Sequence, residues 1–328
     1  MSAVAQASRN PGVSDGANWA FVFPGQGAEF LGMGEDYCKR FAMAGEMFGI
    51  ASERMGTDLR AVMAKGPART LAQAEIAQPV VFTMSFVIAS LLMDRGIVPS
   101  SLAGHSLGQF AAVTVAGTMD FSAALDLVIA RGQYLHECNT QANGGMMAVD
   151  QLSRDVIEEA IAEFDAELWV SNVNAASQCV VSGRKPALWQ LKKALDRRGG
   201  NCRWLNVPGP AHSPLMKPAA DRLSVKLDGI ALRDPQMPVI ASASGVLLTD
   251  AAAIRAELQG HMLKPVNWVA ALQTLLDRGT RLIEAGPGRV LKGLALRNGW
   301  PSRCLLTSTV NDFQESLSTI EEAATCAL

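Results

Sequence analysis

Two patterns alternate along the chain: short apolar runs that stop at glycine-rich turns, and longer stretches whose apolar residues recur at helical spacing. Trp19-Ala-Phe-Val-Phe23 is the first run, and it meets Pro24-Gly25-Gln26-Gly27. A buried strand that delivers backbone amides to a site has this form. Residues 35–63 carry their apolar positions at helical intervals, and residues 78–92 are apolar on nearly every side. The second stretch predicts a helix packed inside a large domain. A second strand is predicted over 97–103, ending at Gly104-His-Ser-Leu-Gly108, after which 109–116 and 121–138 have helical composition. The order is strand, sharp turn, helix.

Between about 144 and 207 the pattern changes. Strands are predicted at 146–149, 168–172, 178–182 and 202–207, and helices at 156–164 and 186–198. Strand-helix-strand followed by strand-helix-strand is the split arrangement of a ferredoxin-like unit. Alternation of helix and strand then resumes, with strands at 238–242 and 280–284 and a helix opening at Pro287-Gly-Arg-Val-Leu291, as in a parallel α/β sheet. The expected organisation is a mobile tail over 1–18, a large α/β domain over 19–140 and 208–328, and a small α+β domain over 141–207 inserted into it.

Composition narrows the function. With 328 residues, 49% of them hydrophobic and 18% charged, the chain can bury a sizeable core. A net charge of -2 and few aromatic residues give no footprint for nucleic acid. The six cysteines form no CxxC pair and no metal-ligand spacing, so no metal is expected and free thiols in a reducing cytoplasm are. The first 18 residues lack the apolar centre of a secretory signal. The apolar stretch 79–93 is too short to span a bilayer, so no membrane association is expected.

Gly104-His105-Ser106-Leu107-Gly108 fits a nucleophile elbow, where flanking glycines permit a strained turn that lifts the serine hydroxyl clear of the sheet. The alternative is a plain strand-to-helix turn with Ser106 as a helix cap. A serine nucleophile needs a base, and the chain has four histidines. His105 should point away from the hydroxyl in a tight elbow, His136 lies near the end of a charged helix, and His261 precedes Pro265. His212, in the rigid loop Pro208-Gly-Pro-Ala-His-Ser-Pro214 after a strand, is the candidate base. The Gln26 amide beside that of Leu107 could form an oxyanion hole. Arg131 sits in an otherwise apolar helix, and its planar fork suits a carboxylate. A surface salt bridge to Asp126 or Glu137 on the same helix is the competing reading.

Together the motifs resemble the malonyl-coenzyme A:acyl carrier protein transacylase family, which also supplies acyltransferase domains of polyketide synthases. The carrying residues are Phe23-Pro-Gly-Gln-Gly27, Gln78-Pro79, Gly104-His-Ser-Leu-Gly108, Arg131-Gly132, Met146-Met-Ala-Val149, Asn172-Val-Asn174, Ala211-His-Ser-Pro-Leu-Met216, Pro265-Val-Asn-Trp268 and Glu284-Ala-Gly-Pro-Gly288. The resemblance implies an α/β-hydrolase-like domain with an inserted ferredoxin-like domain and a site in the cleft between them. It implies that Ser106 carries the acyl group, His212 is its base, Arg131 holds the malonyl carboxylate, and the Gln26 and Leu107 amides form the oxyanion hole. The main-chain carbonyl that orients the base falls at His261, where the family usually has glutamine.

Other departures bear on selectivity. Gln109 stands where the family generally has glutamate, and Ala28-Glu29 where it has Ser-Gln. Ala211 replaces the phenylalanine or serine found just before the base. Gln109, Ala211 and Asn174 are taken as pocket residues, and Ala211 implies a roomier pocket. The expected activity moves malonyl from coenzyme A, a substrate, to an acyl carrier protein, with no cofactor and as a monomer, in fatty acid or polyketide synthesis. An acyl hydrolase acting on loaded carrier proteins is the nearest rival, and an inactive docking module the third reading.

Overall fold

The computed structural model describes residues 18–207, 209–300 and 304–326. The predicted mobile tail therefore lies almost wholly outside the described residues. Eleven strands are described, in chain order β1 (Trp19–Phe23), β2 (Ser101–Gly104), β3 (Gly144–Asp150), β4 (Leu168–Ala175), β5 (Gln178–Arg184), β6 (Asn201–Trp204), β7 (Val239–Ile240), β8 (Leu247–Leu248), β9 (Val266–Asn267), β10 (Arg281–Glu284) and β11 (Cys304–Leu306). They make a mixed α/β molecule with two sheets.

The larger sheet runs β11-β10-β1-β2-β7-β8, parallel except for the last pair. All five residues of β1 are buried. A central parallel strand with both faces covered needs a continuous apolar run, which is what the sequence presents. β2 is shorter than predicted and begins at Ser101. Pro99 has no N–H for a ladder, and Ser100 instead donates its amide and hydroxyl to Trp19 O at 2.7 and 3.0 Å. The predicted strand at 238–242 reduces to the two residues of β7. The helical stretch 35–63 divides into Glu35–Arg40, Ala42–Met55 and Leu59–Lys65, broken at an extended Phe41 and a left-handed Gly56.

The smaller sheet runs β6-β3-β5-β4-β9. Its first four strands are mutually antiparallel, and helices Arg154–Ala162 and Lys185–Arg197 connect them. Side-chain alternation on β3 sorts its residues: Met147 and Val149 pack with Ile157, Leu188 and Leu191 under the helices, while Met146 and Ala148 face a cavity on the other side. The sequence pattern predicts no strand at β9. It comes from the chain after 260 and pairs in parallel with β4, Asn172 opposite Val266 and Val173 opposite Asn267.

The apolar helix is longer than the sequence pattern suggested, spanning Ala74–Asp94. By length and composition it could cross a membrane, yet 78% of its most apolar window is buried inside the protein. It packs against helix Phe121–Ala142, and the two approach closely at Gly132, where a Cβ would lie 2.6 Å from Ala74 O. No larger residue fits there, and the close crossing brings Arg131 against Gln78.

Candidate active site

β1 and β2 are neighbours, and their C-terminal ends release two loops on the same side of the sheet. One is the turn at 24–27; the other is the elbow at 105–107, leading into helix Gly108–Val115. The loops touch: a Cβ on Gly108 would lie 2.0 Å from Phe23 O, so only glycine allows the contact. Ser106 has φ 50°, a left-handed conformation that side-chain-bearing residues rarely adopt. This is the strained elbow that the flanking glycines predicted, rather than a plain helix cap. The Gln26 and Leu107 amides make no backbone hydrogen bond among the described residues.

His212 also has a positive φ, 56°, and its ring is buried. Its Nε2 lies 2.7 Å from Ser106 Oγ and its Nδ1 lies 3.0 Å from Lys264 O. Because a carbonyl only accepts, Nδ1 carries the proton and Nε2 is free to receive one from the serine. The orienting carbonyl is thus Lys264, a correction to the expected His261, whose own carbonyl gives the ring only a lesser favourable interaction. Helix Ala251–Gly260 ends with the Leu263 and Lys264 amides both donating to Gly260 O. Pro265 keeps the helix from continuing, so the Lys264 carbonyl receives no amide one turn further on and is left for the imidazole. Burial first, and then the Arg131 charge, push the His212 pKa down to about 3. The ring is held neutral.

Arg131 is 2% exposed and has no carboxylate partner among the described residues. The two acids on its own helix are engaged elsewhere, Asp126 with Arg54 at 2.5 Å and Glu137 with Arg222. The surface salt-bridge reading is therefore excluded. One guanidinium nitrogen donates to Gln78 Oε1 at 2.7 Å, the Nε has no partner, and the cation lies 5.5 Å from the Phe110 ring centroid. Desolvation lowers its pKa to about 9, so it remains charged at neutral pH.

Ser106, His212, Arg131 and Gln26 line one cavity of about 490 Å³ between the two sheets. Asn174 and Ala211 line it too. Gln109 does not. Its side chain is fully buried, accepting from Gly104 N at 3.2 Å and donating to Ile240 O at 3.1 Å, so it braces β2 against β7 and has no access to a ligand. Its place one residue into the helix after the elbow turns it back under the sheet. His105 turns from the hydroxyl, as predicted, to reach Asn174 Oδ1 at 3.0 Å, yet it also lines the cavity. Gln78 and Glu29 also line the cavity, without a sequence expectation that places them there. Glu29 accepts from Gly27 N at 2.7 Å and fixes the turn after β1. A helical glutamine and a loop glutamate have no individual signature; only the Gln78-Pro79 pair pointed here.

Residues 20–287 match the acyl transferase domain family. The chain is 36% identical over 285 residues to the malonyl CoA-acyl carrier protein transacylase of Escherichia coli strain K12, covering 85% of this chain and 92% of the relative. This chain belongs to the malonyl CoA-acyl carrier protein transacylase family. Among solved structures, the transacylase from Coxiella burnetii superposes with a TM-score of 0.89 at 32% identity, over 93% of this chain and 98% of that one. A malonyl-transacylase solved in complex with a type II polyketide synthase acyl-carrier protein superposes with a TM-score of 0.88 at 33% identity, over 92% and 100%.

Within this transacylase fold His261 occupies a place of its own. It is 2% exposed, stacks edge-on against both His212 and Phe110 at 5.5 Å, and neither ring nitrogen makes a hydrogen bond among the described residues. Burial and the Arg131 charge lower its pKa well below 6.5, only weakly offset by the nearby Ser106 backbone. The unfolded chain therefore takes up a proton on this residue below pH 6.5 that the folded chain refuses, and stability is lost as pH falls. His261→Gln removes that penalty, so the variant gains stability relative to the parent as pH falls through the range where a free histidine protonates. The melting temperature of the variant relative to the parent should rise by a few degrees between pH 7.5 and pH 5. A difference that does not change with pH would mean that His261 titrates normally.

Proposed function

We propose that this chain transfers a malonyl group from coenzyme A to the phosphopantetheine thiol of an acyl carrier protein through an ester on Ser106. The observation that carries this reading is the buried, carboxylate-free Arg131 in the same cavity as the Ser106–His212 pair. A buried cation without a counter-ion calls for an anionic ligand, and the free carboxylate of a malonyl thioester supplies one in bidentate geometry.

In the first half-reaction His212 Nε2 takes the Ser106 proton as Oγ attacks the thioester carbonyl. The oxygen charge falls on the Gln26 and Leu107 amides. The C–S bond breaks, and the coenzyme A thiolate leaves with the proton from His212. In the second, the carrier thiol gives its proton to His212 and attacks the ester carbonyl, and Ser106 Oγ leaves as the hydroxyl. The Lys264 carbonyl stabilises the imidazolium in both. The scheme uses the chain's own side-chain and backbone groups together with the two substrates and needs no resident cofactor. Ala211 leaves room beside the base for malonyl groups with a small α-substituent.

Two architectural readings accompany the proposal. The β3 to β6 unit, with strand order β6-β3-β5-β4 and two helices on one face, supports a ferredoxin-like domain over 141–207. The parallel sheet with its elbow supports an α/β-hydrolase-like domain over 19–140 and 208–328. The free thiols of Cys38, Cys138, Cys179, Cys202 and Cys304 suit a reducing cytoplasm, and a monomer is the expected state.

Intact-mass measurement tests the central claim. Malonyl-coenzyme A should add one malonyl group to the protein and none to Ser106→Ala, and holo acyl carrier protein should remove it with appearance of malonyl carrier. Release of free acid with no loaded carrier would replace transfer with hydrolysis.

A further inference from the structure

A chain of hydrogen bonds, buried at Arg131 and Gln78 and half-buried at Gln26, runs from the carboxylate clamp to the loop that carries the Gln26 amide. Arg131 Nη1 donates to Gln78 Oε1 at 2.7 Å, Gln78 Nε2 donates to Gln26 Oε1 at 3.2 Å, and Gln26 Nε2 donates to Ala72 O at 3.1 Å. The polarity of this chain is set at one end. A guanidinium can only donate, so Gln78 must turn its oxygen toward Arg131, which sends its NH₂ toward Gln26. Gln26 must then offer its own oxygen to Gln78 and its NH₂ to Ala72 O. The 24–27 turn also presses on the elbow at Gly25 and Gly108, packs Pro24 against Gly286 and is braced by Glu29, and the Gln26 side chain adds the hydrogen bond that links it to Gln78 and Arg131.

We propose that Gln78 is a positioning residue that makes the placement of the Gln26 amide depend on what Arg131 holds. A ligand carboxylate that draws on the guanidinium acts on the first link, and the turn at 24–27 feels the change through Gln78. Recognition of the acyl carboxylate would then appear in the rate of acylation as well as in binding. This inference rests on the transfer reading and deepens it.

Single-turnover acylation by malonyl-coenzyme A tests it with Gln78→Met, Gln26→Met and the double variant, each normalised to the sites that a fluorophosphonate labels on Ser106. Each single variant should lose about tenfold or more in kcat, with KM within about threefold of the parent. The double variant should fall no further than either single one, because the two side chains act as one unit. A double variant that shows the product of the single losses overturns the proposal. So does a Gln78→Met effect confined to KM, or a loss accounted for by fewer labelled sites. If malonyl-coenzyme A does not acylate the parent protein, the transfer reading is what fails. The rate of fluorophosphonate labelling, which also builds charge on an oxygen near the Gln26 amide, then reads the same coupling in the same variants.

Discussion

Replacing His212 by asparagine is expected to slow Ser106 acylation by about 10³- to 10⁴-fold while leaving the protein folded. Asparagine is chosen because the position has φ 56°, which it tolerates better than other side chains. What it cannot do is accept the serine proton and hold it as an imidazolium against Lys264 O. The loss should fall on kcat in both half-reactions, since one base serves both, and rapid-quench measurement of each with a parallel thermal melt separates chemistry from folding. Rates within tenfold of the parent would remove His212 from the mechanism. The same base explains an expected feature of the parent protein. With its pKa pushed down to about 3, His212 stays neutral through the range where an ordinary histidine protonates. kcat/KM for acylation should therefore show no decline between pH 7.5 and 5.5 attributable to this group.

Arg131→Leu should lower kcat/KM for malonyl-coenzyme A by about 10³-fold, in line with the 3–5 kcal/mol lost when one partner of a buried charge pair is removed. Acetyl-coenzyme A has no carboxylate to lose a partner for, so its kcat/KM should hold or rise. Thermal stability should move the other way. The unliganded protein keeps a cation that is 2% exposed, bonded to one glutamine and with its Nε unpartnered. Leucine at this position removes that desolvation penalty, so the melting temperature should increase. Equal losses for the two thioesters, or a fall in stability, would make Arg131 a structural residue rather than a carboxylate clamp.

How far the sequence disclosed this site depends on which atoms do the work. Ser106 and the turn after β1 were legible because strained backbone demands glycine at fixed offsets and a buried central strand demands an unbroken apolar run. Arg131 stood out as a charge inside an apolar helix. The small sheet announced itself through the spacing of its strands and helices. The Lys264 carbonyl had no such mark, since any residue has one and only the end of the preceding helix decides which is left free. Gln109 misled for a related reason: its closeness to Ser106 in sequence suggested the pocket, but helical rotation directs it under the sheet to Ile240 O. β9 was lost for want of length. Two residues carry no periodicity, and their partner strand lies more than ninety positions earlier.

That short strand makes the small unit a poor candidate for exchange. Lys264, whose carbonyl accepts from the His212 ring, stands two residues before Val266 and three before Asn267, which pair with β4. The Asn267 amide also donates to Ser242 O, beyond the end of β7 in the large sheet. Residues 264–267 are thus stitched to both sheets at once and hold the imidazole between them. A chimera that grafts residues 141–207 from a relative would import a new β4 against an old β9, and any mismatch in that seam would be felt at the His212 ring. Modular swaps in this scaffold should carry 264–267 along with the insert.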